Sequence, residues 1–295
     1  MIRAVYVESS SRCNLSCAYC YRTARSYASK NRDLPPALFN ALLAGLAAMR
    51  TELPERGADL FLHSFGEPTL NPALAEMIAT APGSGLFGAI RFVSNLLATP
   101  PASYGGYFDA GLTGLYISLD TLDPGVIAAT RRGTDLPLLL ARLEELARTH
   151  APRLSVITVL TPSNKGELPL LADFLRGLRI PVWNIQLLNT HKGGFGLEAG
   201  EVARLKAELA AHTQGMTVNF EEQSLLHCNQ PFDTLAMNAM GYLVPCCSMT
   251  NHEVLHFGNI GQTPLTEIYN GEAYAGFRAG FRHKRPAACA DCPYY

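Results

Sequence analysis

Cys13, Cys17 and Cys20 stand at C-x3-C-x2-C spacing in Arg12-Cys13-Asn14-Leu15-Ser16-Cys17-Ala18-Tyr19-Cys20-Tyr21, directly after the apolar-alternating run Val5-Tyr6-Val7. That places three thiols on a tight polar loop leaving a first strand. A cubane iron–sulfur cluster takes one thiolate per iron, four in all. Three thiolates leave one iron open to another ligand, as the open position does in catalytic metal sites. Zinc and three buried free thiols are the competing readings. A second group, Cys228, Cys246, Cys247, Cys289 and Cys292, is separated from the first by a cysteine-free stretch. A glycine-containing hairpin over 240–244 delivers Cys246 after Pro245, and a C-x2-C pair follows. Four thiolates can thus converge on one site, and the spacing admits zinc as well as iron–sulfur.

These loops need a frame to hold them. Strands are predicted over 2–7, 59–63, 90–94, 114–118, 154–160 and 182–188. Helices are predicted over 36–49 (opened by proline), 72–80, 101–110, 137–149 and 167–178. Six β-then-α units argue for a parallel sheet curled into a part-barrel, with a doubly wound open sheet as the competing arrangement. Either one binds its ligand at the carboxyl ends of the strands. A charged helix over 197–213 and a short strand over 216–220 follow. Residues 26–33 and 192–196 read as surface loops, the latter a candidate substrate-side lid.

Polar and glycine signals gather after those strands. Ser64-Phe65-Gly66-Glu67-Pro68-Thr69-Leu70 follows the second and Ser94-Asn95 the third; the fourth ends Tyr116-Ile117-Ser118-Leu119-Asp120, and the fifth ends at Leu160. Alone, Gly-Glu-Pro is an ordinary turn, and Asp120 or Asp123 serves equally as a helix N-cap. Arg131 and Arg132 suit a carboxylate, although a solvated helix end explains them too. His63, closing an apolar strand, reads as a hydrogen-bonded interior histidine. Gln186 and Asn189 are candidates to meet a substrate.

Together these segments resemble the radical SAM superfamily. Its C-x3-C-x2-C loop carries a [4Fe-4S] cluster whose fourth iron chelates the amino and carboxylate groups of S-adenosylmethionine (SAM), and Tyr19 fits its aromatic position. The resemblance implies Cys13, Cys17 and Cys20 as cluster ligands. Ser64–Leu70 is similar to the family's Gly-Gly-Glu-Pro segment, with Phe65 replacing the first glycine. Gly66, Glu67 and Pro68 would then offer acceptors to the SAM ammonium. Ser94 and Asn95 resemble a Thr-Asn-Gly lacking its glycine. Ser118 and Asp120 match residues facing the ribose and methionyl carboxylate, and Leu160 an apolar residue packed on adenine, with core packing as its alternative. Cys228-x12-Gly241-x4-Cys246 and Cys289-x2-Cys292 resemble the opening of a SPASM domain, which implies that these four cysteines hold an auxiliary [4Fe-4S] cluster. The two further cysteines of the full pattern are missing, as in the shortened "twitch" form.

The expected architecture is α/β: a partial (β/α)6 TIM-like barrel over 1–215 and a small auxiliary-cluster domain over 216–295. The resemblance implies reductive SAM cleavage and hydrogen-atom abstraction from substrate. The first reading is oxidation of a small-molecule alcohol such as a sugar or aminocyclitol, favoured by a start directly at strand one, without a leader-peptide-binding domain. Epimerisation or crosslinking of a ribosomal peptide is the alternative, and a non-catalytic iron–sulfur or zinc scaffold the rival of another class. Cys247 is left as a buried neighbour, a hydrogen-atom donor or an alternative ligand. The electron donor implied is flavodoxin- or ferredoxin-like. A net charge of −1 offers no basic face for nucleic acid. No run of about 18 apolar residues and no signal peptide are present, so no membrane association and a cytoplasmic setting are expected, where thiols stay reduced.

Overall fold

The computed structural model describes residues 1–23, 31–187, 200–221, 228–281 and 286–289. Strands and helices alternate as β1 (Ala4–Val7), α1 (Pro36–Ala48), β2 (Ala58–Phe61), α2 (Leu74–Gly83), β3 (Phe87–Ser94), α3 (Pro101–Asp109) and β4 (Gly114–Ser118). Then come α4 (Pro124–Thr130), α5 (Leu136–His150), β5 (Leu154–Leu160), α6 (Leu168–Gly177), β6 (Val182–Leu187), α7 (Glu201–Leu209) and β7 (Thr217–Glu221). β1 through β7 pair in sequence order, all parallel. Side chains from β1, β3, β4, β5 and β6 line one cavity, which requires the sheet to curl into the part-barrel that the sequence predicts.

The pleat assigns the two faces. Along β5, Leu154, Val156, Thr158 and Leu160 are buried against the helical layer, while Ser155, Ile157 and Val159 alternate with them toward the lumen. Trp183 of β6 is fully buried, and its indole N–H donates to Thr158 Oγ1 (2.8 Å), which donates in turn to Leu119 O (2.6 Å). The helix starts follow local chemistry. Asp123 accepts from Gly125 N and Val126 N to cap α4, and Asp135 accepts from Leu138 N to cap α5, each followed at the first turn by proline. Helix α4 is absent from the sequence-based expectation, because seven residues are too few to show a helical period.

The later part of the chain returns to the first strand. After α8 (Gln230–Asp233), β8 (Thr234–Met237) pairs in parallel with β1, and β9 (Tyr242–Val244) and β10 (Gly258–Asn259) continue antiparallel. The sheet order is β10-β9-β8-β1-β2-β3-β4-β5-β6-β7. Both β8 and β7 thus extend the barrel sheet from residues beyond 215. β8 carries four buried residues in a row and shows no alternation to read. Helices α9 (Leu265–Asn270) and α10 (Glu272–Phe281) follow. α9 lies on α1 at Gly45, where an added Cβ would stand 2.4 Å from Leu265 Cβ.

One close approach joins the loop after β1 to the turn after β2. Glu67 N donates to Arg12 O (2.7 Å), and a Cβ on Gly66 would lie 2.0 Å from Ser10 O. Only glycine fits there, because the obstacle is backbone. Gly66→Ala is expected to push the two segments apart, so that the reconstituted protein loses the iron held at the first cysteine loop while retaining far-ultraviolet circular dichroism. Thr158→Val strands the indole N–H of the chain's single tryptophan and is expected to cost about 1–3 kcal/mol, read as a lower denaturation midpoint in tryptophan fluorescence.

Candidate active site

The lumen opens at the carboxyl ends of the strands as a cavity of about 620 Å³. Cys13, Cys17 and Cys20 all lie on its wall. Their loop is held at both flanks. Ser16 N and Ala18 N donate to Arg132 O (3.0 Å) and Thr130 O (2.7 Å), while Ser10 Oγ and the Arg12 guanidinium bind Asp33. The thiols are close enough to act on one another, and burial pushes all three up from the usual cysteine range. Metal binding would therefore displace three protons. Leu15 N (3.4 Å) and Asn95 Nδ2 (3.8 Å) approach Cys13 Sγ as donors suited to a thiolate. Among the described residues no group of three or more His, Cys, Asp or Glu closes around a single ion. A cubane needs no such convergence, since each thiolate takes a different iron.

Glu67 is the second half of this site. Its carboxylate is 2% exposed and accepts from Thr69 N (3.2 Å), Thr69 Oγ1 (2.7 Å), Ser94 Oγ (2.9 Å) and Asn95 N (2.8 Å). Burial raises its pKa against those four donors. No Lys, Arg or His among the described residues forms an ion pair with it. A buried carboxylate in a cradle of donors, acting electrostatically on Cys13, is a place where an ammonium would recover the missing charge interaction. This is the fit required of the amino group of SAM beside the open iron.

The other candidates divide. Tyr19, Gly66, Ser94, Asn95 and Ser118 line the cavity with Glu67. Pro68, Asp120 and Leu160 are not on its wall. Pro68 is buried at the start of a short helical turn. Asp120 Oδ1 accepts from Val159 N (2.9 Å), while Oδ2 takes Tyr19 Oη and Arg131 Nη1 (3.4 Å). Its carboxylate is thus occupied in supporting the cysteine loop. Leu160 falls on the helix-facing side of β5, and the pleat gives Ile157 and Val159 to the lumen instead. Asn189, Cys292 and residues 192–196 lie outside the described residues.

Arg131 corrects one expectation. It is 7% exposed, lines the cavity and pairs with Asp120, so it is not a solvated helix end. Burial opposes its charge and the Asp120 carboxylate more than restores it. The same guanidinium opposes, without overcoming, the rise that burial imposes on the neighbouring Cys17 thiol. Sequence alone hid this, because Arg131 and Asp120 meet only when α4 folds back. His63 is another correction: its ring is interior as expected, yet Nδ1 is buried with no hydrogen-bond partner.

A second cavity, about 230 Å³, is lined by Cys228, Cys246 and Cys289. Cys228, Tyr21, Gln230 and Ser248 belong to both cavity walls. Cys246 and Cys247 part company here: Cys246 faces the smaller cavity, Cys247 the larger. Ser64 Oγ donates to Cys247 O (3.1 Å), and the Cys247 thiol points to Gln230 Oε1 (3.7 Å). Sequence gave no sign of Gln230 or Ser248.

Comparison with known proteins agrees with this geometry. The model of the radical SAM superfamily matches residues 7–175, and that of the SPASM iron–sulfur cluster-binding domain matches 228–293. A tungsten-containing aldehyde ferredoxin oxidoreductase cofactor-modifying protein from Pyrococcus furiosus is 25% identical, covering 99% of this chain and 87% of that protein. A PqqA peptide cyclase from Xanthomonas axonopodis pv. citri is 25% identical, covering 98% of this chain and 80% of the cyclase. The fold is similar to that of Streptococcus suis SuiB bound to S-adenosylmethionine, with a TM-score of 0.76 at 13% identity over 100% of this chain and 71% of that one. With its three-cysteine loop and buried Glu67 on one wall and a second cysteine cavity behind them, the chain belongs to the radical SAM superfamily of enzymes, whose cofactors are SAM and [4Fe-4S] clusters, and it carries a SPASM cluster-binding domain.

Proposed function

We propose that this enzyme abstracts a hydrogen atom from a substrate seated in the lumen and oxidises it, the substrate being a small-molecule alcohol such as a sugar or aminocyclitol. The observation that carries this reading is a cavity with Cys13, Cys17, Cys20 and Glu67 on its wall, adjoining a second cavity lined by cysteines. A [4Fe-4S] cluster held there, with a flavodoxin- or ferredoxin-like electron donor, would supply the chemistry of reductive SAM cleavage. Cys13, Cys17 and Cys20 hold that cluster. Glu67 orients the ammonium of SAM, Asn95 fixes Glu67 against Cys13, and Asp120 with Arg131 keeps the loop in register. Oxidation removes one hydrogen atom, then one electron and one proton, and Cys228, Cys246, Cys289 and Cys292 would hold the acceptor of that electron. A cavity of about 620 Å³ shared with SAM suits a ring-sized group or one side chain. A peptide substrate is the second reading, supported by the match to PqqA peptide cyclases along nearly the whole chain.

Cys247 offers a different fate for the radical. Its residue lines the lumen, and its thiol would return a hydrogen atom, giving epimerisation in place of oxidation and leaving a thiyl radical that one electron from the same donor and one proton restore to the thiol. Two measurements decide. Anaerobically reconstituted protein with SAM and a strong reductant is expected to form 5′-deoxyadenosine, and the Cys13/Cys17/Cys20→Ala variant none; SAM returned unchanged by both would sink the reading. Turnover of candidate alcohols and peptides in D₂O then separates the fates by mass. Oxidation loses two hydrogens and persists in Cys247→Ser. Return from the thiol gains one deuterium at carbon, and in Cys247→Ser product stops while SAM is still cleaved.

A further inference from the structure

His63 sits two residues past β2, where the pleat that turns Phe61 inward turns its imidazole into the lumen as well. It packs edge-on against two rings, Tyr6 at 5.9 Å and Phe61 at 5.8 Å between centroids, and those two stack on each other at 4.5 Å. Charge lies below this layer: Arg91 is 5.8 Å from the Phe61 ring and is paired with Asp59 at 2.9 Å. No carboxylate among the described residues is bonded to the imidazole. Nδ1 is sealed without a partner. Nε2 has no hydrogen bond among the described residues either, but it is not among the sealed atoms, so it is the nitrogen that the lumen reaches.

These facts fix which nitrogen carries the proton. A buried donor with no acceptor is the rarer and costlier defect, while an under-satisfied acceptor is better tolerated. The proton therefore belongs on Nε2, and the bare lone pair of Nδ1 faces the sealed side. Burial holds the pKa down to about 4, so the ring is neutral near pH 7 and donates without carrying charge. We propose that His63 is the substrate-recognising donor of the lumen, presenting Nε2–H to an acceptor oxygen of the substrate. This rests on the lumen being the substrate chamber. The oxygen can be a polyol hydroxyl or a peptide carbonyl, since both accept the same bond. An ammonium or another cation has no partner at this spot.

The test uses full-length, reconstituted, SAM-loaded protein with ¹⁵N-labelled histidine, the ring signals being assigned by their loss in His63→Gln. At pH 7 the proton is expected on Nε2 with Nδ1 bare. Ethylene glycol and N-methylacetamide, probes for the two oxygen sources, are expected to move the Nε2–H signal downfield in a saturable way; methylammonium is not. Whichever probe moves it further names the source. A proton on Nδ1, a charged ring, silence to both oxygen probes, or a response to methylammonium overturns the proposal. No turnover is needed, so a failure here stands apart from a failure to form 5′-deoxyadenosine.

Discussion

A buried carboxylate that no cationic side chain among the described residues pairs, held beside three thiols, is the constraint on which the site depends. Glu67 cannot be placed by its own turn. It needs Ser94 and the Asn95 amide from the end of β3, and it needs the turn after β2 pressed against the loop after β1 at Gly66. Asn95 then turns the same carboxylate cradle toward Cys13 and Asn14. Three strand ends are therefore locked by one buried negative group, and the cavity that it faces is made from the same residues. Desolvating a carboxylate is costly, and the four donors around Glu67 offset part of that cost.

A second buried charge is treated in the opposite way. Asp120 has its own cation in Arg131, a donor in Tyr19 and a backbone amide from Val159. Both of its oxygens are engaged within the protein. Two acidic residues, one after β2 and one after β4, thus differ in whether a cationic side chain among the described residues pairs with them. A pair this well enclosed contributes more to position than to stability.

Much of this was legible in the chain. The cysteine spacings, the Gly66-Glu67-Pro68 turn and the six strand–helix units were readable because each is local: a spacing, a tripeptide, a period. What escaped was non-local or set by parity. Leu160 and Val159 are indistinguishable as apolar letters, and only the pleat gives one to the helices and the other to the lumen. Arg131 looked like a surface residue until its partner, eleven positions back, was folded against it. The Thr234–Met237 strand, buried on both faces, has no alternation. The letters named Cys246 as a cluster ligand and left Cys247 open, and only the fold sends the two to different cavities.

The central position of β1 also bears on how the protein is made. β1 leaves the ribosome before the other strands described, but one of its two flanking strands is β8, more than two hundred residues later. Such a long-range pairing is slow to form, and domains generally begin to fold during synthesis. Until β8 arrives, one side of the first strand and the loop carrying Cys13 are without that neighbour. Ser64 meanwhile lacks the Cys247 carbonyl that it will hold. Maturation of the first cysteine site is therefore coupled to synthesis of β8, and a nascent chain stalled before it would expose three thiols beside an unfinished sheet edge.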